Sequence, residues 1–307
     1  MTGKGGVGKS TVAIALGLLG ARSGLRTIVV ELANQERVQR TFEHQAEHFR
    51  EVELAPGLFT ISIDPQHSMD EYLRIRVGPI GHAIGSSRLF QAFAMATPGM
   101  RELLSIGKVW ELAQLQRKTR GAAPYDLVIV DAPATGHGVG ILRTPRTFAE
   151  IARVGPIAHQ GRQIAATIAD PSFTAIVAVA LPEEMPVNEI LTLADALDRE
   201  GLELEHVVVN AVYPARFSEE QVGELDAALA RSESSLGSTA VRAALSEHLR
   251  SDTQREQIAR LRSGLESGIA ELPFLFADPL GRPELEQVAD ALAAGLNEPD
   301  RAGEVVT

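Results

Sequence analysis

The residues most capable of chemistry lie near the amino terminus, where residues 3–11 are GKGGVGKST. The spacing from Gly3 through Gly8 and Lys9 to Ser10 is that of a phosphate-binding loop, or P-loop. Glycines let backbone N–H groups crowd around phosphate oxygens, and the following helix points its positive end at the same anion. We expect Lys9 to reach the β- and γ-phosphates and the Ser10 hydroxyl to bind Mg²⁺. The residues predicted to hold the nucleotide here are Gly3, Gly5, Gly6, Val7, Gly8, Lys9, Ser10 and Thr11.

A second acidic element fits the same chemistry. Residues 125–137 are YDLVIVDAPATGH, in which four apolar residues precede Asp131. An aspartate at the carboxyl end of a parallel strand is placed where such sheets bind ligands, and it suits a role in holding Mg²⁺ or its water. Together with the glycine loop it predicts a site for ATP and Mg²⁺.

Composition narrows the class of protein further. The 307 residues are 45% apolar and 22% charged, which is enough for a sizeable core. The formal net charge of −11 argues against a nucleic-acid partner and against simple adhesion to anionic membranes. The absence of cysteine excludes disulfides, cysteine-ligated zinc and iron–sulfur clusters. No apolar run is long enough for an integral membrane segment and no signal peptide is visible, so a cytoplasmic location is expected.

Strand-like and helix-like segments alternate along the chain, which predicts an α/β fold with a mainly parallel sheet flanked by helices. We expect one P-loop ATPase domain over residues 1–307, with a helical subdomain built from insertions at about 68–120 and 215–270. Predicted strands cover residues 26–31, 58–63, 127–130, 175–181 and 206–209, whereas residues 34–55, 186–199 and 283–296 are predicted helical. Helical spacing is also assigned to Ile258, Leu261, Leu265 and Ile269.

One expected element is missing from this pattern. P-loops are strand–loop–helix units, yet only Met1 and Thr2 precede Gly3. The expectation is that the native coding sequence starts upstream and supplies the missing first strand.

With Lys4 as a second lysine in the loop and TGH after Asp131, the chain resembles the deviant-Walker-A ATPases. The closest resemblance is to the ArsA-like family of arsenite-pump and tail-anchored-protein-targeting ATPases, especially its bacterial subgroup. The resemblance implies that Lys4 reaches across a dimer interface to the partner's nucleotide. It implies that residues 131–137, including His137, form a switch that senses the γ-phosphate, and that Asn210 contacts adenine.

The chain also departs from that family. The acid that begins the first switch is usually an aspartate followed by proline, and here it is Glu31 followed by leucine. The added methylene displaces the carboxylate by about 1.5 Å, and a shift of about 1 Å can cost about 10²-fold in rate. Lacking cysteines, the chain has neither a zinc-stapled dimer nor the metalloid ligands of an arsenite pump. The candidate catalytic residues are Lys4, Lys9, Glu31 and Asp131, and the Mg²⁺ ligands are Ser10 and Asp131.

Three functions stay open at this point. The first is a dimeric ATPase switch, either a homodimer or a heterodimer with a paralogous ATPase chain. The second is a regulatory half of such a heterodimer, with little hydrolysis of its own. The third is a targeting factor for a hydrophobic protein client, in which Phe90, Phe93, Met95 and Met100 line a groove rather than a core. The pattern HQAEH at residues 44–48 matches a zinc-peptidase motif, but a solvated helix face is the favoured interpretation.

Overall fold

The computed structural model describes residues 1–32, 36–45, 47–77, 96–119, 121–133, 135–152, 154–231, 235–277 and 280–297. The strands are β1 (Thr27–Leu32), β2 (Val52–Ala55), β3 (Leu58–Ile63), β4 (Leu127–Asp131), β5 (Val177–Ala180), β6 (His206–Val212) and β7 (Gly268–Pro273). The first helices are α1 (Lys9–Arg22), α2 (Arg37–Thr41), α3 (Pro65–Val77), α4 (Met100–Leu112) and α5 (Thr135–Ala152). They are followed by α6 (Pro156–Ile168), α7 (Glu184–Arg199), α8 (Glu219–Arg231), α9 (Ser235–Gly264) and α10 (Arg282–Asn297).

The strands form two sections, in the orders β2-β3-β1-β4 and β5-β6-β7. All described pairings are parallel except that of β2 with β3. Met1 and Thr2 lie between the sections. The Met1 carbonyl accepts a hydrogen bond from the Ala132 amide, and the Thr2 amide donates to the Val177 carbonyl. The two residues thus occupy a strand position between β4 and β5, while the expected upstream segment stays a prediction.

Three apolar layers cover the sheet. Helices α1 and α10 pack on one face through Val12, Ile14, Leu18, Leu285 and Leu292. Helices α4, α5 and α6 cover the other face of the first section, and α7 with α9 covers the other face of the second. Every residue of β1 and β3 is buried, including the polar residues Thr27, Glu31, Thr60 and Ser62, as expected for strands covered on both faces. The predicted α/β architecture is confirmed.

Several local predictions were wrong. Residues 34–55 were predicted to be helical, but of the described residues in this range only the five of α2 are helical, and residues 52–55 form the antiparallel edge strand β2. Ile269 was assigned helical spacing, but α9 ends at Gly264 and Ile269 lies in strand β7. Helices α5 and α6 were not predicted. The division into a domain and one helical subdomain stays a prediction. Residues 78–95, which make up most of the segment expected to carry the client groove, lie outside the described residues.

A cluster of charged side chains is buried between α3, α4 and β2. The Arg117 Nη2 atom lies 2.7 Å from Glu51 Oε1 and 3.1 Å from Glu111 Oε2, and Lys108 Nζ lies 2.8 Å from Glu71 Oε2. Burial by itself would raise the pKa of Glu111, but hydrogen bonds and charge from Arg117, with the charge of Lys108, lower that pKa to about 2. We call these five residues the buried ion cluster.

Candidate nucleotide site

The glycine loop has a shape that side chains would prevent. Gly6 and Gly8 have φ values of 85° and 94°, a region that favours glycine. A Cβ atom on Gly8 would lie 2.3 Å from Asn210 Nδ2, and one on Gly3 would lie 2.2 Å from the Val179 carbonyl oxygen. Val7, 2% exposed, fixes the loop in the core. Gly5 and Gly6 are exposed and border open space, so the outer side of the loop can approach a phosphate closely.

Two polar residues of α1 lie behind the loop. The Lys9 Nζ atom donates hydrogen bonds to the carbonyl oxygens of Gly3, at 2.9 Å, and Lys4, at 2.8 Å. Burial lowers the pKa of Lys9 from its ordinary value, and the charge of Asp131 opposes that shift. The Ser10 hydroxyl donates to Asp131 Oδ2 at 2.6 Å. A hydroxyl and a carboxylate are the hard oxygen donors that Mg²⁺ prefers, so Ser10 and Asp131 fit the predicted metal.

Two carboxylates lie side by side at the carboxyl end of the sheet. Glu31 on β1 is in register with Asp131 on β4; every residue of β1 is buried, whereas β4 is mostly half-buried. The Glu31 side chain is 1% exposed, and its Oε1 atom accepts a hydrogen bond from the Arg37 amide at 2.8 Å. Burial raises the pKa of Glu31, and the neighbouring charge of Asp131 adds to the rise. Among the described residues, no group donates a hydrogen bond to its other oxygen, Oε2.

Two further predicted site residues, Lys4 and Asn210, make contacts at or beside the loop. Lys4 is at the surface, where its Nζ atom lies 3.9 Å from Glu189 Oε1 on α7 and its side chain is 38% exposed. Asn210 on β6 donates from Nδ2 to the Val7 carbonyl at 3.0 Å, so its amide holds the loop in this structure. The predicted adenine contact of Asn210 stays a prediction. The side chain of His137 lies outside the described part of the structure.

Sequence analysis missed an aromatic cluster just beyond Asn210. The rings of Tyr213 and Phe274 stack with centroids 4.6 Å apart, and Phe276 meets both rings edge-on. Arg250 and Arg216 lie over the rings of Tyr213 and Phe276. The sequence signal was present as aromatic residues directly after β6 and β7, two parallel strands whose carboxyl ends share the edge that carries the loop.

A cavity of about 190 Å³ lies between α3, α4 and α6, and no residue of the glycine loop lines it. Its wall is mainly apolar and includes Met69, Leu73, Met100 and Trp110. Of the residues predicted to line a client groove, Met100 borders this cavity, whereas Phe90, Phe93 and Met95 lie outside the described residues.

A glycine loop at the start of α1, with Lys9, Ser10 and two strand-end acids behind it, defines a P-loop ATPase. The model of the anion-transporting ATPase family matches residues 1–159 and 149–234, which are more than half of the chain. The chain belongs to this family, the ArsA ATPases, as its motifs predicted, and the expected enzyme class is confirmed. Among the described residues, no helix is long and apolar enough to cross a membrane.

Relatives of known designation agree with that assignment. ATPase BagA of Mycobacterium tuberculosis is 30% identical over 240 residues, which cover 74% of this chain and 70% of the relative. An arsenical pump-driving ATPase of Escherichia coli is 26% identical over 249 residues, covering 74% of this chain and 41% of the relative. A second arsenical pump-driving ATPase, from Acidiphilium multivorum, is 26% identical over 239 residues, which cover 71% of this chain and 40% of the relative.

Proposed function

We propose that this ATPase is a Mg²⁺-dependent, dimeric ATP switch that couples the state of its nucleotide to movement of its helical segments. The observation that carries the proposal is that four side chains from three elements converge at the carboxyl end of the sheet. Lys9 and Ser10 come from α1, Glu31 from β1 and Asp131 from β4, and the Ser10–Asp131 hydrogen bond joins two of these elements.

Each group has a distinct task in this proposal. The loop amides and Lys9 bind the phosphates and stabilise the charge that develops on them during transfer. Ser10 and Asp131 would hold Mg²⁺, which neutralises phosphate charge when bound. Glu31 would orient the attacking water through Oε2, while Oε1 keeps its hydrogen bond to the Arg37 amide.

The adenine would lie beyond Asn210, against the aromatic cluster of Tyr213, Phe274 and Phe276. Phe276 is 65% exposed, and an exposed aromatic ring at a sheet edge offers a stacking surface for a base. Lys4 would leave its weak surface pairing with Glu189 and reach the nucleotide of a second subunit. The second subunit is either another copy or a paralogous chain.

The test is Mg²⁺-dependent ATP turnover by the chain beside its Lys9→Ala variant. We expect turnover in the parent chain and a loss of at least about 10²-fold in the variant, since Lys9 supplies charge stabilisation at the phosphates. Tight binding of ATP without turnover would instead indicate the regulatory half of a heterodimer, a role that the burial of Glu31 favours. No binding of ATP would contradict the proposal.

A hydrophobic protein client is a second candidate function, favoured by the apolar cavity between α3, α4 and α6. Its test is binding of a fluorescent apolar helix peptide in the presence of ATP and Mg²⁺. Substitution of Leu73 by aspartate at the cavity wall would abolish that binding if the cavity is the client site, and unchanged binding would exclude the cavity.

A further inference from the structure

The end of β6, directly after Asn210, has an unusual backbone conformation. Ala211 has a φ of 62°, which is uncommon for a residue with a side chain and is energetically unfavourable. The pairing of β6 with β7 also shifts register between Val209 and Val212. Such a conformation persists only where surrounding contacts impose it.

Helix α9 supplies those contacts through Gln254. The Gln254 Nε2 atom donates to the Ala211 carbonyl at 3.2 Å, and its Oε1 atom accepts from the Tyr213 amide at 2.7 Å. One side-chain amide thus bonds backbone groups on both sides of Val212, at the irregular end of β6. Ser251, one turn earlier on α9, donates to the Tyr213 carbonyl at 3.3 Å. Gln254 and Ser251 are buried, so these bonds are sheltered from water.

The end of β6 also contacts the glycine loop, through Asn210. Asn210 donates to the Val7 carbonyl, and the position of its amide leaves no room for a Cβ atom on Gly8. Hydrogen bonds and one short stretch of backbone therefore connect Gln254 to the loop. The first hydrogen bond of α1, from the Val12 amide to the Gly8 carbonyl, begins where the loop ends.

Gln254 also lies where α9 enters the core. The buried residues of this 30-residue helix are Ser251, Gln254, Ile258 and Leu261, all in its second half. The preceding helix α8, which packs against α9, has no buried residue. Ser251 and Gln254 are therefore the first buried residues of α9 that a displacement of the α8–α9 hairpin would reach.

We propose that Gln254 is a positioning residue for the phosphate loop, acting through Ala211 and Asn210, and that it links the α8–α9 hairpin to the nucleotide site. That the ligand of the loop is ATP rests on the proposed function. The mechanical link between α9 and the loop does not depend on it.

The test compares Gln254→Met with Gln257→Met. Methionine keeps the length of the side chain and removes both hydrogen bonds, whereas Gln257, on the same helix, is only partly buried and accepts a hydrogen bond from Arg260. The first readout is amide exchange at Val12 in the nucleotide-free protein. We expect about tenfold faster exchange in the Gln254 variant, the effect of losing one buried hydrogen-bonded contact, and less than about twofold in the control.

The same substitution is then made in an Asn210→Ala background. The increase at Val12 should disappear there, because the proposed link passes through Asn210. Unchanged exchange at Val12 in Gln254→Met would overturn the proposal. So would an increase that persists without Asn210, or one shared equally by β5 and α7, which would indicate general loosening.

Affinity for ATP with Mg²⁺ is the second readout. We expect it to weaken about tenfold in Gln254→Met and to stay within about twofold in the control. If the parent chain binds no ATP, the proposed function fails while the exchange result still decides the role of Gln254. If ATP binds and the variant affects neither readout, the role of Gln254 fails alone.

Discussion

At the scale of single residues, Glu31 has a structural task beside the catalytic task proposed for it. Its carboxylate is buried beside Asp131 and caps the first turn of α2 through the Arg37 amide. Catalysis would then have to use its second oxygen, or a rearrangement of α2.

The substitution Glu31→Gln separates these two tasks. Glutamine still accepts the hydrogen bond of the Arg37 amide through its carbonyl oxygen, but it orients a nucleophilic water poorly. We expect kcat for ATP to fall about 10²-fold or more with KM changed by less than about threefold. Steady-state kinetics at saturating Mg²⁺ measures this, with Glu36→Gln, another buried acid of the same segment, as the control. An unchanged kcat would mean that Glu31 serves only to cap α2.

At the scale of elements, α1 can position Lys9 and Ser10 only because it packs very closely on the sheet. A Cβ atom on Gly17 would lie 2.8 Å from Val29 Cγ2 and 2.9 Å from Leu58 Cδ1, and one on Gly20 would lie 2.7 Å from Thr27 Oγ1. These glycines weaken the intrinsic helix preference of α1 but let the helix approach β1 and β3.

The substitution Gly17→Ala should therefore destabilise the protein. Overpacking costs about 1–3 kcal/mol, which exceeds the gain in helix propensity of about 1 kcal/mol. The control is Gly223→Ala on α8, where a Cβ atom meets nothing within 4 Å and the position is exposed. We expect the control to be stabilised by about 0.5–1 kcal/mol. Urea denaturation of both variants measures the difference, and a stabilised Gly17→Ala would show that α1 can shift at no cost.

The buried ion cluster joins α3, α4 and β2 on the face of the sheet opposite α1. Because Arg117 is 1% exposed and contacts both Glu51 and Glu111, its removal leaves two acids without their main partner. Breaking a buried pair from one side typically costs about 3–5 kcal/mol. We expect a loss near the lower end of that range for Arg117→Met at pH 7, because Glu51 stays partly exposed and Lys108 stays beside Glu111.

The loss should depend on pH in a defined direction. The folded-state pKa values of Glu51 and Glu111 lie below their ordinary value of 4.5, so their contribution is complete above that pH. It is lost as the pH falls toward the folded-state pKa of Glu111, about 2. The difference in unfolding free energy between parent and variant should therefore narrow from pH 7 to pH 3. A constant difference, or an equal loss in the exposed control Arg101→Met, would assign the effect to packing alone.

At the scale of the whole molecule, the site is expected to be completed by a second subunit. Lys4 is pointed at Glu189 of its own chain, at a distance of 3.9 Å and with both side chains partly exposed. An ion pair of this kind contributes less than about 1 kcal/mol, so it holds Lys4 only weakly. The loop geometry therefore permits the reach toward a partner that the family resemblance implies.

We expect ATP with Mg²⁺ to produce a species of twice the chain mass of 32.9 kDa in sedimentation velocity. The variant Lys4→Ala should bind ATP within a few-fold of the parent but lose about 10³-fold in turnover, as when a transition-state cation is removed. Mixing it with the Lys9→Ala variant tests action across the interface. Full turnover by a monomer would contradict the dimeric switch.

Much of the fold could be predicted because its strongest signals are local. The short stretches of apolar and β-branched residues at β1, β3, β4, β5 and β6 are recognised from consecutive residues, and the glycine loop places Lys9 and Ser10 by spacing alone. Strand β2 escaped prediction because four residues with one buried side chain carry little periodicity, and its pairing with β3 decides its conformation. Helices α5 and α6 escaped prediction because glycines and Pro145 interrupt their helical pattern.

The sequence by itself determined the class of site, since the chemistry of phosphate binding requires those residue types at that spacing. Only the tertiary structure decided what surrounds it. Asn210 lies 203 residues along the chain from Val7, to whose carbonyl it donates a hydrogen bond. Gln254 lies 41 residues from Tyr213, from whose amide it accepts one. Such contacts depend on how distant elements pack and on which backbone groups an irregular strand end leaves unpaired, and neither is encoded in local residue patterns.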